Sequence, residues 1–219
     1  MTDKKNIPLK SFAENSVPLS YLCHLSCRIA SYGCYRAQRF PLTPNLITTL
    51  SLASVMLGIV FLFTGYPIGF AILLPLSYTL DNADGIWART LGLASSKGKF
   101  FDMYTDYLKD FLVEIFLFIH YYPNLFKTIG NAEAVAIGFG TYLVVKSLFL
   151  LMYRESMETV RTFQTQKIRM ITYTPAEKYI VVWPLAAFFF PVYLAHLFII
   201  FLAYLFFTIL LFLKKMAME

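Results

Sequence analysis

"LDNADGIWARTLGLASSKGKFFDMYTDYLKD", Leu80–Asp110, places Asp81, Asp84, Asp102 and Asp106 beside stretches apolar enough to lie in a membrane. At about 100° per helical residue, Asp81 and Asp84 lie roughly 60° apart, with Gly85 and Ala88 in the same sector. Asp102 and Asp106, one turn apart, share a face of the next helix. The connection "TLGLASSKGKF" is short, so the two pairs occupy matching ends of neighbouring helices and four carboxylates converge on one pocket. Where the membrane lies decides the rest.

The chain has 219 residues, 58% hydrophobic, 18% aromatic and only 15% charged, with a mean hydropathy of +0.60. Such values lie far outside the range of water-soluble globules. Spanning the hydrocarbon takes about 20 mostly apolar helical residues. Six segments qualify: 45–64, 67–91, 99–121, 132–153, 176–192 and 194–213, the last two short and joined tightly around Pro191. The expected fold is therefore all-α, a polytopic membrane protein with six transmembrane helices. An even number of spans leaves both termini on one side. That side collects Lys4, Lys5, Lys10, Arg28, Arg36, Arg39, Arg89, Lys97, Lys99, Arg154, Arg161, Lys167, Arg169, Lys178, Lys214 and Lys215, while the opposite loops offer Lys127. This bias makes both termini cytoplasmic in a multi-pass protein of the cell membrane. The net charge of +6 suits an anionic lipid surface. Nucleic acid is not an expected partner, because no separate polar domain exists to bind it.

Residues 1–43 form an expected cytoplasmic N-terminal segment, and residues 44–215 the six-helix transmembrane catalytic domain. Met1–Glu14 lacks the apolar core of a signal peptide. In "PLSYLCHLSCRIASYGCYRAQRF", Leu22, Leu25, Ile29 and Tyr32 recur at helical spacing with Arg28, Arg36 and Arg39 elsewhere around the wheel, predicting an amphipathic helix in the membrane interface. Cys23, Cys27 and Cys34, odd in number and in a reducing compartment, read as small contacts of that helix rather than disulfides or a metal site. "LTPNLIT" makes the turn into the first span, with Asn45 as the expected cap. In "TPAE", Thr174, Pro175 and Glu177 form a capping box opening the fifth.

Four carboxylates at such a site repel one another unless cations hold them. Their hard oxygen ligands suit Mg²⁺ or Mn²⁺, which in turn suit phosphoryl or pyrophosphate chemistry. Gly85 and Ala88 are small enough for a nucleotide to approach the helix, and Arg89 can clamp phosphate oxygens.

The order Asp81-x2-Asp84-Gly85-x2-Ala88-Arg89-x8-Gly98-x3-Asp102-x3-Asp106 resembles the signature of the CDP-alcohol phosphatidyltransferases at every fixed position. The resemblance extends to the six spans, the interfacial N-terminal helix and the "PNLIT" entry to the first span. It implies a cytosol-facing site where a hydroxyl attacks a phosphorus of a CDP-linked alcohol and CMP leaves. Asp81, Asp84, Asp102 and Asp106 would surround one or two Mg²⁺ or Mn²⁺ ions, and Asp106 would be the general base. Gly85, Ala88, Arg89, Ser95 and Gly98 would hold the CDP portion, with Asn45 and Thr48 contributing from the first span. A homodimer is implied as well.

The expected activity is phospholipid biosynthesis: transfer of a phosphatidyl group from CDP-diacylglycerol to a small polar alcohol. "DYLKD" and "PLSYL…TPN" also resemble the branch of the family that starts from a CDP-linked polyol such as CDP-inositol, which leaves a second donor class open. A cation transporter is the reading of another class, but it predicts acids nearer the bilayer midplane and does not account for the glycine and arginine spacing. Lys109, Asp110, Lys146 and Arg154 are candidates for holding the acceptor. Lys109 and Lys146 could equally form ion pairs with the acids, and for Arg154 attraction to anionic lipid is the favoured reading.

Overall fold

A computed structural model describes residues 7–16 and 21–133, a few positions between 136 and 144, and residues 178–185, 187 and 188. Among them every regular element is helical: α1 (Leu9–Glu14), α2 (Tyr21–Ala37), α3 (Pro44–Phe63), α4 (Pro67–Thr90), α5 (Ser96–Ile129) and a π-helical turn at Lys178–Val182. The all-α class is as expected. The chain divides into two compact units, Met1–His120 with Ile168–Phe188, and Tyr121–Lys167 with Phe189–Glu219. Every site residue described below lies in the first.

The helix ends are written locally. Thr43 caps α3, its hydroxyl accepting from the Leu46 amide at 3.3 Å, and Pro44 fills the first helical position. The cap is thus two residues earlier than the expected Asn45, because Pro44 starts the helix and leaves Asn45 inside its first turn. Gly65 and Gly92 end α3 and α4 with φ of 82° and 66°. In each case the next amide bonds five residues back, Tyr66 to the Phe61 carbonyl and Leu93 to the Ala88 carbonyl, both at 2.8 Å. These left-handed caps turn the chain sharply. The second one makes the short link that brings α5 back beside α4.

Tight packing of α3 on α4 sets the frame. A Cβ on Gly58 would stand 3.4 Å from the Leu73 Cβ, so the two backbones run close there. The Ser51 hydroxyl donates to the Ser77 carbonyl at 2.9 Å, and both serines are fully buried. On the other side of α4, helix α2 presents its small face. Cys23, Ser26, Cys27, Ala30, Ser31 and Cys34 are buried, whereas Leu25, Ile29 and Tyr32 point outward. The cysteines are free thiols and act as close-packed contacts, the Cys34 thiol donating to the Ala83 carbonyl at 3.4 Å. Burial, with the Asp84 charge adding to it, pushes the Cys34 thiol up to about 12, so it stays protonated for that bond.

Short as it is, α1 is anchored. Phe12 is fully buried with its ring 6.2 Å from that of Trp87. The Trp87 indole N–H donates to the Leu42 carbonyl at 3.1 Å. Trp87→Ala should therefore cost about 3–5 kcal/mol and lower the thermal midpoint of the detergent-solubilised protein by several degrees. An unchanged midpoint would mean that this end of α4 is not packed as described.

Of the described helices, α3 alone is long and apolar enough to cross a membrane by length and composition. α4 and α5 are long enough but carry the charges of the site. The expected fourth and fifth spans are described only in part, and the sixth lies outside the described residues, as do Thr174, Pro175 and Glu177.

Candidate active site

The quoted acids meet where α4 ends and α5 begins. One oxygen each from Asp81, Asp102 and Asp106 lie within 4.8 Å of one another. Asp84 faces α3 instead. It is buried, and its carboxylate accepts a hydrogen bond from Thr48, whose hydroxyl also lies 3.2 Å from the Pro44 carbonyl. Thr48 is one helical turn before Ser51, so α3 contributes a polar stripe to an otherwise apolar helix.

Lys109 is the cation of this cluster, with 2% of its side chain exposed. Its ammonium donates to Asp81, to Asp106 at 2.8 Å and to the Ser51 hydroxyl at 3.0 Å. Of the two sequence readings for Lys109, the ion pair is the one present. Burying one acid without this partner would be costly, and a buried lysine without its acids equally so. Lys146 and Arg154 lie outside the described residues.

The residues expected to hold the nucleotide form a second group. Ser95 caps α5, its hydroxyl accepting from the Gly98 amide at 3.0 Å. A Cβ on Gly98 would meet that hydroxyl at 3.0 Å and the Asn45 side-chain oxygen at 3.6 Å, so Asn45, Ser95 and Gly98 share one exposed corner. Arg89 folds over Gly85: a Cβ there would stand 3.0 Å from a guanidinium nitrogen. The Arg89 Nε donates to the Asn15 carbonyl at 2.9 Å, which ties the guanidinium to the end of α1. Ala88 is half-buried.

Three participants were not visible in the sequence. Ser51 gave a faint signal, a serine three residues after Thr48 inside an apolar helix. Asn15 acts through its backbone and gave none. Tyr179, distant in sequence, is buried with its ring stacked on Tyr78 at 6.2 Å. Its hydroxyl lies within the electrostatic reach of Asp110, without a well-formed hydrogen bond among the described residues.

The family model of the CDP-alcohol phosphatidyltransferases matches residues 41–214, which takes in both groups and nearly all the chain beyond α2. The chain belongs to the CDP-alcohol phosphatidyltransferase family. Comparison with curated proteins and with solved structures found no match. A CDP-alcohol phosphatidyltransferase is a membrane-integral transferase of substituted phosphate groups, with a CDP-alcohol as donor and an alcohol as acceptor.

The acids fit a divalent ion. The three converging carboxylates supply hard oxygen ligands, and Asp102 Oδ1 is buried with no hydrogen-bond partner among the described residues. A buried carboxylate oxygen left without a donor is expensive, and a cation removes that cost.

A Cβ at Gly85 would stand 3.0 Å from the Arg89 guanidinium, so Gly85→Ala should shift the guanidinium by a few tenths of an ångström without disturbing the helix. If Arg89 holds the donor's phosphates, the expected result is a KM for the CDP-alcohol raised severalfold to about tenfold, the latter equivalent to about 1.4 kcal/mol, with folded yield unchanged. Steady-state kinetics over a donor series check this.

Proposed function

We propose that the chain is a metal-dependent enzyme of phospholipid biosynthesis that moves a phosphatidyl group from CDP-diacylglycerol to a small polar alcohol, releasing CMP. The convergence of Asp81, Asp102 and Asp106 beside the Asn45–Ser95–Gly98 corner carries this reading. Asp81, Asp84, Asp102 and Asp106 would hold Mg²⁺ or Mn²⁺, which when bound neutralises pyrophosphate charge. Asn45, Ser95 and Gly98 border the cytidine end, Thr48 fixes Asp84, and Arg89 over Gly85 and Ala88 binds phosphate oxygens.

Asp106 takes the proton of the acceptor hydroxyl. Its side chain is 46% exposed, against 20% for Asp81, so an acceptor can reach it while Lys109 holds it in place. A hydroxyl is a poor nucleophile at neutral pH, and a positioned carboxylate lowers the cost of its deprotonation during attack. Asp110, within electrostatic reach of the buried Tyr179, remains in this reading a group for holding the acceptor.

The setting is a six-span homodimer in the cell membrane with both termini cytoplasmic. Residues 1–43 lie along the interface and 44–215 form the catalytic body. The outward-facing Leu25, Ile29 and Tyr32 of α2 support this placement, since they leave an apolar face for lipid.

Purified protein supplied with labelled CDP-diacylglycerol and a panel of alcohols tests the donor. A labelled phospholipid and CMP in equal amounts are expected with one or a few of the alcohols. CMP released from a CDP-polyol, with no lipid product from CDP-diacylglycerol, would transfer the assignment to the polyol branch.

A further inference from the structure

The family match begins at residue 41, so α1 and α2 lie before the part of the chain that the family model covers. Even so, α1 reaches the candidate donor site. Phe12, wholly buried, joins Ala30 of α2 and Ile86 and Trp87 of α4 in one apolar cluster. Two polar contacts hold the same segment down. The Ser31 hydroxyl donates to the Phe12 carbonyl at 3.3 Å, and the Ile7 amide donates to the Gln38 side-chain oxygen at 3.0 Å. The chain leaves α1 at Asn15, whose side-chain amide donates back to the Ser11 carbonyl at 2.8 Å. The Asn15 carbonyl lies past the last turn, where the helix's own amides do not satisfy it, and the Arg89 Nε–H donates to it at 2.9 Å.

This contact divides the donors of the guanidinium, which carries five N–H bonds in a rigid planar fork. With Nε–H committed to the backbone, the four hydrogens on the two terminal nitrogens are left for phosphate oxygens. Both terminal nitrogens lie over Gly85, where a Cβ would stand 3.0 and 3.3 Å from them. Arg89 is an exposed residue, and the opposite charge of Asp102 acts on it. An untethered guanidinium there would have many rotamers and a competing partner. Fixing one edge of the fork removes that choice before a ligand arrives, so less ordering accompanies binding.

We propose that the N-terminal segment Leu9–Ser16 is part of the donor site: Phe12 anchors it beside Trp87, and the Asn15 carbonyl presets Arg89 for the phosphates of a cytidine diphosphate. The inference rests on the reading of Arg89 as the phosphate clamp. Phe12 and Asn15 are positioning residues that act through Arg89.

CDP, the portion common to both donor classes, is the probe, titrated calorimetrically into the full-length, detergent-solubilised chain with Mg²⁺ present. Arg89→Ala is expected to weaken CDP binding at least about tenfold. Phe12→Ala should weaken it about tenfold, the order set by one long side chain that must now be ordered on binding, and should add nothing in the Arg89→Ala background. A folded Phe12→Ala with wild-type affinity, or one that weakens binding equally with and without Arg89, would overturn the proposal while leaving Arg89 as the clamp. Wild-type affinity in Arg89→Ala would overturn the clamp and the proposal together, and a folded wild type that binds no CDP would overturn the donor site as a whole. If Phe12→Ala does not fold, Phe12→Leu, which keeps an apolar anchor without the ring beside Trp87, decides by the same comparison, with about threefold weakening expected.

Discussion

Asp106→Asn is expected to lower turnover about a thousandfold while leaving donor affinity within a fewfold of the wild type. The asparagine keeps a side-chain oxygen where Asp106 accepts from Lys109 at 2.8 Å, so the helix contacts survive the change. As the proposed base, the residue would lose the ability to accept a proton from the acceptor hydroxyl as it attacks. The loss should therefore fall on kcat, with the KM for the CDP-alcohol little affected. CMP release measured at saturating donor checks this, and full turnover in the variant would remove Asp106 from the role of base.

Asp102→Asn should separate function from stability in opposite directions. Asp102 Oδ1 is buried without a partner, and its carboxylate lies within 4.8 Å of two others. With chelator present, neutralising it removes a buried charge and its repulsion from two neighbouring carboxylates, toward which the new amide N–H groups can donate, so stability should rise by about 1–3 kcal/mol. The same change removes a proposed metal ligand, and activity should fall at least about a hundredfold. Asp81→Asn should lose activity without the gain in stability, because Asp81 is a partner of the buried Lys109. Thermal unfolding in chelator, run beside an activity assay, distinguishes the pair. A less stable, active Asp102→Asn would mean that this aspartate is structural.

The helical class, the turn into α3 and the pairing of Asp102 with Asp106 were legible because they depend on short-range rules. Pro44 acts within a turn of chain, and Asp102 and Asp106 share a face by spacing alone, whereas the left-handed caps at Gly65 and Gly92 were not read from the sequence. The α2 helix was legible too, although its cysteines and serines, not its leucines, make the contact with α4. Small residues pack against another helix in a protein whose apolar surface can face lipid, which inverts the usual expectation for an amphipathic helix. Partner choice was less legible. Sequence spacing grouped Asp84 with Asp81, but it could not show that Thr48 on α3 faces Asp84. Lys109 had two readings because its neighbour across the helix pair, Ser51, lies 58 residues earlier. Arg89 was read from the sequence as a phosphate clamp, and its tie to Asn15 is a backbone contact that no side-chain pattern encodes.

The divalent-metal centre proposed for these aspartates is tested by CMP released by the purified chain from CDP-alcohols in the presence of an alcohol panel, with Mg²⁺ or Mn²⁺ and again after chelation. CMP in step with a transfer product is expected, abolished by chelator, restored by either ion and absent in Asp102→Asn. Undiminished CMP release in excess chelator, or no release from any CDP-alcohol by a folded protein with metal supplied, would contradict it.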